Sequence, residues 1–169
     1  MKSQTIRAIV NRFKKHKPEN LEHTLYCVDT LRFIGEGSFR KVYQINDLPL
    51  VVKFPTGNDG DDIEENIEHS ENEMDAINEV KEKHPHLKKY LPKIYYYNLE
   101  TGVIVMHKYK QNSRTHNKKF CKKAEKEITD TFNSELDIYK NFSVDTKGKI
   151  VLIDWGVLGR KSSWRQSGY

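Results

Sequence analysis

The chain has 169 residues, 36% of them hydrophobic and 31% charged, which suits one small domain or two small lobes. Its net charge of +5 arises from 29 basic and 24 acidic residues, and we interpret this small excess as a solubility feature. The two cysteines, Cys27 and Cys121, are far apart in the sequence. Their spacing predicts neither a zinc site nor a disulfide framework.

No long apolar run occurs at the start of the chain, and no run of about 18 apolar residues occurs elsewhere. We therefore expect no signal peptide and no membrane span, and a location in a reducing cytoplasm.

Residues 3–15 are predicted to form a helix, because Ile6, Ile9, Val10 and Phe13 repeat at helical spacing. Basic residues occupy its other faces. Two interpretations are open: an amphipathic arm for a membrane or a partner, and a helix that packs on its own domain, which we favour.

The remaining elements are predicted from hydrophobic periodicity and turn residues. Three strands are predicted between residues 30 and 54, followed by a long helix over 63–83. One row of this helix contains Ile63, Ile67, Met74, Ile77 and Lys81, with Ser70 inside it. The later elements are strands over 94–97 and 103–106, a helix over 120–136 with Phe120, Ala124, Ile128 and Phe132 on one row, and a hairpin of 142–144 and 149–153.

The glycine-rich turn between the first two strands is a candidate phosphate-binding loop. At Gly35 and Gly37 no Cβ obstructs the approach of backbone N–H groups to phosphates. Phe39 is placed to close over the phosphates, and Val42 to pack on a planar base. Arg40 replaces the third glycine of a full G-x-G-x-x-G motif, so an ordinary hairpin turn stays open as the alternative.

Lys53 lies in an otherwise apolar strand, where a buried ammonium is costly unless a phosphate or a carboxylate pairs with it. Strand alternation places Lys53 on the same face as Val51. The helix over 63–83 supplies Glu73 as the best-placed carboxylate. The alternative is a lysine on an edge strand whose ammonium reaches solvent.

A second group of polar residues surrounds the last predicted hairpin. Asp154 follows the apolar segment 150–153, which delivers a carboxylate to the edge of a sheet, a suitable place for a metal that also binds phosphate oxygens. Upstream, Asp137 and Asn141 offer a second carboxylate and an amide. Two carboxylates and an amide near a metal and a hydroxyl are the groups that phosphoryl transfer needs.

Taken in order, these residues resemble the protein-kinase superfamily over residues 31–156. Gly35 and Gly37 are similar to the loop that covers the phosphates. Lys53 is similar to the strand lysine of the V-A-I-K motif, and Glu73 to the helix glutamate that pairs with it.

The resemblance extends to the hinge and the metal-binding residues. Met106, His107 and Lys108 lie where the family's hinge would hold adenine. Asn141 and the motif Asp154-Trp155-Gly156 resemble the metal-binding asparagine and the D-F-G motif, with Trp in place of Phe.

The resemblance implies an α+β fold in three parts. An N-terminal helical arm over 1–29 precedes a kinase-like N-lobe over 30–109, with an antiparallel five-stranded sheet and one long helix. A much reduced C-lobe over 110–169 carries the catalytic loop and the Asp-Trp-Gly motif. The segment 83–93 is similar to small kinase-like proteins encoded by bacteriophages, which implies a place in the host cytoplasm.

Two departures from the family pattern bear on catalysis. Asp137 lies four residues before Asn141, where the family has five, and no histidine precedes it, so Glu135 is a fallback for the base. Only 13 residues of the sequence follow Gly156, so nothing in it corresponds to the activation segment or to the helices that support peptide binding.

The function implied is binding of ATP with Mg²⁺ or Mn²⁺ and weak transfer of the γ-phosphoryl group to a protein hydroxyl, on the chain itself or on one dedicated partner. The resemblance thus implies a serine/threonine-type protein kinase with Asp137 as base, Lys53 and Glu73 at the phosphates, and Asn141 and Asp154 as metal ligands. The alternative is a catalytically inactive, pseudokinase-type module that binds or inhibits a partner protein.

A third hypothesis is nucleic-acid binding through the basic N-terminal helix and the lysines at 118, 119, 122, 123 and 126. Those lysines alternate with Phe120 and Ala124, so we interpret them as a solvated helix face and disfavour this hypothesis.

Overall fold

The chain adopts a mixed α+β fold in which a five-stranded antiparallel sheet is the largest element. The structure, a computed structural model, describes residues 2–56, 63–110, 118–134, 138–156 and 158. By its internal contacts the chain divides into two compact units, the first made of Met1–Ser70 and Lys93–Lys108 and the second of Glu71–Pro92 and Tyr109–Tyr169.

The first unit contains the large sheet. Its elements in chain order are helices α1 (Lys2–His16) and α2 (Leu21–Leu25) and strands β1 (Leu31–Glu36), β2 (Arg40–Ile45), β3 (Leu50–Pro55), β4 (Ile94–Tyr97) and β5 (Ile104–His107). The strands lie in the order β1-β2-β3-β5-β4, with every neighbouring pair antiparallel.

Helix α3 (Ile63–Lys83) begins in the first unit and ends in the second. The other elements of the second unit are a 3₁₀ helix (Pro85–Tyr90), helix α4 (Lys118–Phe132), a 3₁₀ turn (Tyr139–Asn141) and the hairpin of β6 (Phe142–Val144) and β7 (Ile150–Leu152). None of the helices in the described ranges is long and apolar enough to cross a membrane.

One face of the large sheet is covered by α1. Ile9 and Phe13 of this helix are buried in one cluster with Val52, Phe54 and Val105 of the sheet. The rings of Phe13 and Tyr96 lie 5.5 Å apart, which fixes the helix against β4. The interpretation of residues 3–15 as a helix that packs on its own domain is therefore confirmed.

The predicted helix over 120–136 is wrong at its end. Helix α4 stops at Phe132, because Asn133 adopts a φ of 48° and the Ser134 N–H donates to the Thr129 carbonyl at 2.9 Å. This left-handed cap satisfies carbonyls at the helix end, and asparagine tolerates it better than most residues do. The predicted row is also wrong at its start, since Phe120 is exposed and Cys121 is buried instead.

The predicted row of α3 is wrong at its first residue. Ile63 is exposed, whereas the polar residues Asn66, His69 and Ser70 are buried. The Asn66 amide donates to the Thr56 carbonyl, and the Ser70 hydroxyl donates to the Asn66 carbonyl at 3.4 Å. Hydrophobic periodicity misplaces the buried face because that face is polar here.

In the second unit, Glu127 of α4 connects this helix to the 3₁₀ helix. The Tyr90 hydroxyl donates to Glu127 Oε2 at 2.9 Å, and the Lys89 ammonium lies 2.6 Å from the same oxygen. The hydrogen bond from Lys89, followed by that from Tyr90, lowers the pKa of Glu127. The pKa of the Tyr90 hydroxyl is raised, chiefly by burial.

The turn between β4 and β5 depends on Gly102. Its φ is +65°, and a Cβ there would lie 2.8 Å from Pro55 Cγ and 3.2 Å from the Cα of Ile67 on α3. A side chain at this position would therefore be strained both by its backbone conformation and by its neighbours.

We predict that Gly102→Ala lowers the free energy of unfolding by more than the roughly 1–2 kcal/mol that a left-handed backbone costs alone. Gly148→Ala is the matched control, because Gly148 has a φ of +77° but no atom within 4 Å of an added Cβ. Urea denaturation of both variants measures the difference. Equal losses would show that the close contact with Pro55 and α3 is absent.

Candidate functional site

The candidate site begins with a row of residues that crosses the large sheet. The strand register pairs Gly35 with Val42, Val42 with Lys53, Lys53 with Ile104, and Ile104 with Tyr97. Register partners project to the same face of a sheet, and neighbouring strands lie about 4.8 Å apart. The row therefore places the glycine-rich turn two strands from Lys53.

Lys53 is buried, with 6% of its surface exposed. It lies on β3, the central strand, so the interpretation as an edge-strand lysine is wrong. Leu50, Val52 and Phe54 of the same strand belong to the core under α1, so Lys53 and Val51 point to the opposite face. An ammonium buried in a central strand has a large desolvation cost.

The glycine-rich turn is a tight hairpin. The Gly37 N–H donates to the Arg40 carbonyl at 2.9 Å, which closes a loop of two residues. Neither Gly35 nor Gly37 has a positive φ, and a Cβ built on either meets no atom within 4 Å. Within the described residues the fold gives no reason for glycine at these positions, and they leave open space beside the backbone.

Phe39 at the tip of this turn lies against α3. Its ring stacks on His69 with centroids 4.4 Å apart, and its carbonyl accepts the Thr56 N–H at 3.0 Å. These contacts hold the turn in place within the first unit. The role of Phe39 in covering phosphates stays a prediction.

A second cross-strand row on the same face contains the expected hinge. Across the sheet from β1 to β4, this row consists of Arg32, Gln44, Val51, Met106 and Ile94. Met106 is buried. The Gln44 amide oxygen accepts from the Arg32 guanidinium at 2.5 Å and from the Lys108 ammonium at 2.6 Å. The Lys108 side chain is therefore directed along the sheet.

The backbone N–H groups of the expected hinge are engaged within the first unit. The His107 N–H donates to the Lys93 carbonyl and the Lys108 N–H to the Pro49 carbonyl, each at 2.9 Å. These two N–H groups are therefore not the donors that would hold adenine.

In the second unit, the β6–β7 hairpin places the backbones of Asn141 and Asp154 at the same end of the hairpin. Phe142 pairs with Leu152, and the Ile153 N–H donates to the Asn141 carbonyl at 2.9 Å, which extends the ladder to that end of the hairpin. Asp154 Oδ1 accepts the Gly156 N–H at 3.1 Å, which orients the carboxylate.

Buried Trp155 holds this turn in place. Its indole N–H donates to the Leu152 carbonyl at 3.0 Å, and its ring lies 6.0 Å from that of Phe132 on α4. The backbone of Asp154 is therefore held in position at the end of the hairpin.

The donor set suits a hard cation. Mg²⁺ is commonly bound through one or two side-chain oxygens together with phosphate oxygens and water, so a carboxylate and an amide fit it. Among the described residues no group of three or more His, Cys, Asp or Glu could hold a metal by itself. A metal at Asn141 and Asp154 would therefore need further ligands, such as phosphate oxygens or water.

The other predicted residues are not joined to these groups. Asp137 and its fallback Glu135 lie outside the described residues. Glu73 is fully buried on α3, but it belongs to the second unit and Lys53 to the first. Their pairing stays a prediction.

Sequence reasoning placed Ser70 on the predicted row of α3 but missed the buried polar residues Asn66 and His69. Asn66, His69 and Ser70 are spaced by three and four residues, which places them on one helical face. That spacing of polar side chains was the available signal for a polar buried face beside the glycine-rich turn.

No protein-family model matches this chain, and no curated protein matches it at a significant level. Function is therefore inferred from the residues and their geometry.

We predict that Gly37→Ala changes the free energy of unfolding by no more than about 0.5 kcal/mol, as is usual for open surface positions. The reason is the open space around Gly37 and its ordinary φ. The measurement is urea denaturation beside Gly102→Ala. A loss as large as that of Gly102→Ala would mean that Gly37 serves the fold.

Proposed function

We propose that the protein binds ATP with Mg²⁺ or Mn²⁺ in a protein-kinase-like site and transfers the γ-phosphoryl group weakly to a protein hydroxyl, its own or that of one dedicated partner. The observation that carries the proposal is the cross-strand row of Gly35, Val42 and Lys53. It combines an open backbone, a half-buried apolar side chain and a buried ammonium on one sheet face.

The described fold does not require the first of these features, the open backbone. Gly35 has an ordinary φ and open space, so the described structure would accept a side chain there. A lysine at the centre of a sheet disfavours folding unless its charge is paired. Both features suit a phosphate chain, which approaches an unobstructed backbone and is held by an ammonium.

Each residue then has a role in phosphoryl transfer. Lys53 would hold the α- and β-phosphates, oriented by Glu73, because a buried carboxylate and a buried ammonium of opposite charge favour each other. Asn141 and Asp154 would hold the metal, which neutralises charge on the phosphate oxygens when bound. Asp137 would accept the proton of the substrate hydroxyl.

The alternative, an inactive module that binds a partner, is supported by the short spacing between Asp137 and Asn141. Removing one residue from the family's spacing displaces the carboxylate, and a misplacement of about 1 Å can lower a rate on the order of a hundredfold. ATP binding does not require the Asp137 carboxylate to be placed this accurately. Measurements of ATP binding and of phosphoryl transfer therefore distinguish the two functions.

We predict that ATP with Mg²⁺ or Mn²⁺, at about 100 times its dissociation constant, stabilises the wild type by roughly 2.7 kcal/mol. Lys53→Met and Asp154→Asn should remain folded and lose this effect, because both charges are proposed to act on the ligand. Lys41→Met is the matched control, since Lys41 is a half-exposed lysine on the neighbouring strand β2. The measurement is the thermal unfolding temperature of the wild type and of each variant, with and without nucleotide.

Two results would contradict ATP binding at this site. One is an unchanged unfolding temperature of the wild type at millimolar ATP with either metal. The other is an equal nucleotide effect in Lys53→Met and Lys41→Met.

For catalysis, we expect slow incorporation of label from γ-labelled ATP into the protein itself or into one protein of a cell lysate. Asp137→Ala should reduce this incorporation by about 10²–10⁴-fold, the usual contribution of a general base. Asp130→Ala, which changes an exposed aspartate of α4, should leave it unaffected.

Unchanged transfer in Asp137→Ala would identify another base, and Glu135→Ala would be measured next. Rapid phosphorylation of generic peptides would contradict the prediction of weak activity. Nucleotide-dependent stabilisation without any transfer would establish the inactive module.

A further inference from the structure

The positive charge of the chain is concentrated at its start. Residues 1–18 contain six of the 29 basic residues and none of the 24 acidic ones, so the remainder holds 23 basic against 24 acidic residues. The net charge of +5 is therefore a property of α1 and the turn that follows it rather than of the whole surface.

Helix α1 uses its apolar side chains inside the protein. Ile9 and Phe13 are part of the sheet's core, and Val10 is also buried. The Arg12 guanidinium donates to the Cys27 carbonyl at 3.5 Å, so Arg12 is directed at the fold. What remains for a partner is the opposite side of the helix.

That opposite side is the outer face of α1, defined by exposed residues at helical spacing: Gln4, Arg7, Ala8, Asn11, Lys14 and Lys15. It is cationic and amide-bearing, with no large apolar side chain. Within the described part of the chain, Arg7, Lys14 and Lys15 form no ion pair.

The lysine-rich helix α4 differs in this respect. Its exposed lysines are interspersed with Glu125, Glu127 and Asp130, and Lys123 lies 4.0 Å from Glu127. Its positive charge is therefore partly neutralised on the helix itself.

The composition of the outer face of α1 indicates which class of partner this face can bind. Helices that lie on membranes need an exposed apolar face, which α1 has buried. Protein–protein interfaces have an apolar, aromatic-rich centre, which this face lacks. Protein–DNA interfaces are polar and strongly positive, and their phosphate contacts come from Arg, Lys, Asn and Gln side chains. Single strands are bound largely by aromatic stacking, and no aromatic side chain belongs to this face.

We propose that the outer face of α1 binds the phosphate backbone of duplex nucleic acid without dependence on base sequence. Arg7, Lys14 and Lys15 supply the phosphate contacts, and the amides of Gln4 and Asn11 are hydrogen-bond donors to phosphate or sugar oxygens. This binding is independent of the proposed ATP site.

The test is fluorescence anisotropy of two labelled DNA duplexes of different sequence, titrated with the full chain at increasing KCl. Three phosphate contacts predict a slope of log K against log salt near −2.7, which is about a 40-fold loss of affinity between 50 and 200 mM. Both duplexes should bind equally well.

The variant Arg7→Gln/Lys14→Gln/Lys15→Gln should abolish most of this salt dependence. The matched control is Lys119→Gln/Lys122→Gln/Lys123→Gln, which removes three exposed lysines from α4 and should keep the wild-type slope. If the first variant fails to fold by circular dichroism, Lys15→Gln alone should reduce the slope by about 0.9.

Four outcomes would overturn the proposal: no binding of wild type at the lowest salt, a wild-type slope near zero, equal losses in the α1 and α4 variants, or binding of poly-glutamate or phosphatidylserine vesicles as tight as that of duplex DNA. The last would indicate an acidic protein or an anionic lipid surface as the partner.

Discussion

The register of β3 between β2 and β5 is the constraint on which the large sheet depends. Alternation along β3 sends Val52 into the core under α1 and Lys53 to the opposite face. A slip by one residue would exchange the two faces and bury an ammonium in the apolar core. The same register that closes the core therefore also presents Lys53 beside Val42 and the glycine-rich turn.

The two glycines proposed to approach a ligand are not required by the described fold. Gly35 and Gly37 adopt backbone conformations open to other residues, and their surroundings are empty within 4 Å. Gly102 shows the contrary case, since its positive φ and close neighbours require glycine. At the β6–β7 hairpin, Trp155 anchors the turn, and the adjacent residue Asp154 is half-buried.

Helix α1 packs in the core with one face and is proposed to bind a partner with the other. Its apolar stripe packs in the core of the first unit, and its outer face is cationic and has no large apolar side chain. Because the apolar side chains are no longer accessible, a partner can meet the helix only through charge and hydrogen bonds. Polyanions with regularly spaced charges are the partners that such a face fits best.

The sequence by itself determined most of the strands and helices and placed Lys53 in an apolar strand, because strand alternation and helical spacing are local patterns of two and three to four residues. It left open whether that strand lies at the centre or the edge of the sheet, and it did not fully determine which faces of α3 and α4 are covered. Ile63 and Phe120 are exposed although both extend an apolar row, and His69 is buried although it is polar. Those outcomes depend on segments distant in the chain, such as the glycine-rich turn that stacks Phe39 on His69. Tertiary structure decided them because burial is a property of two packed surfaces, and a periodic pattern describes only one of them.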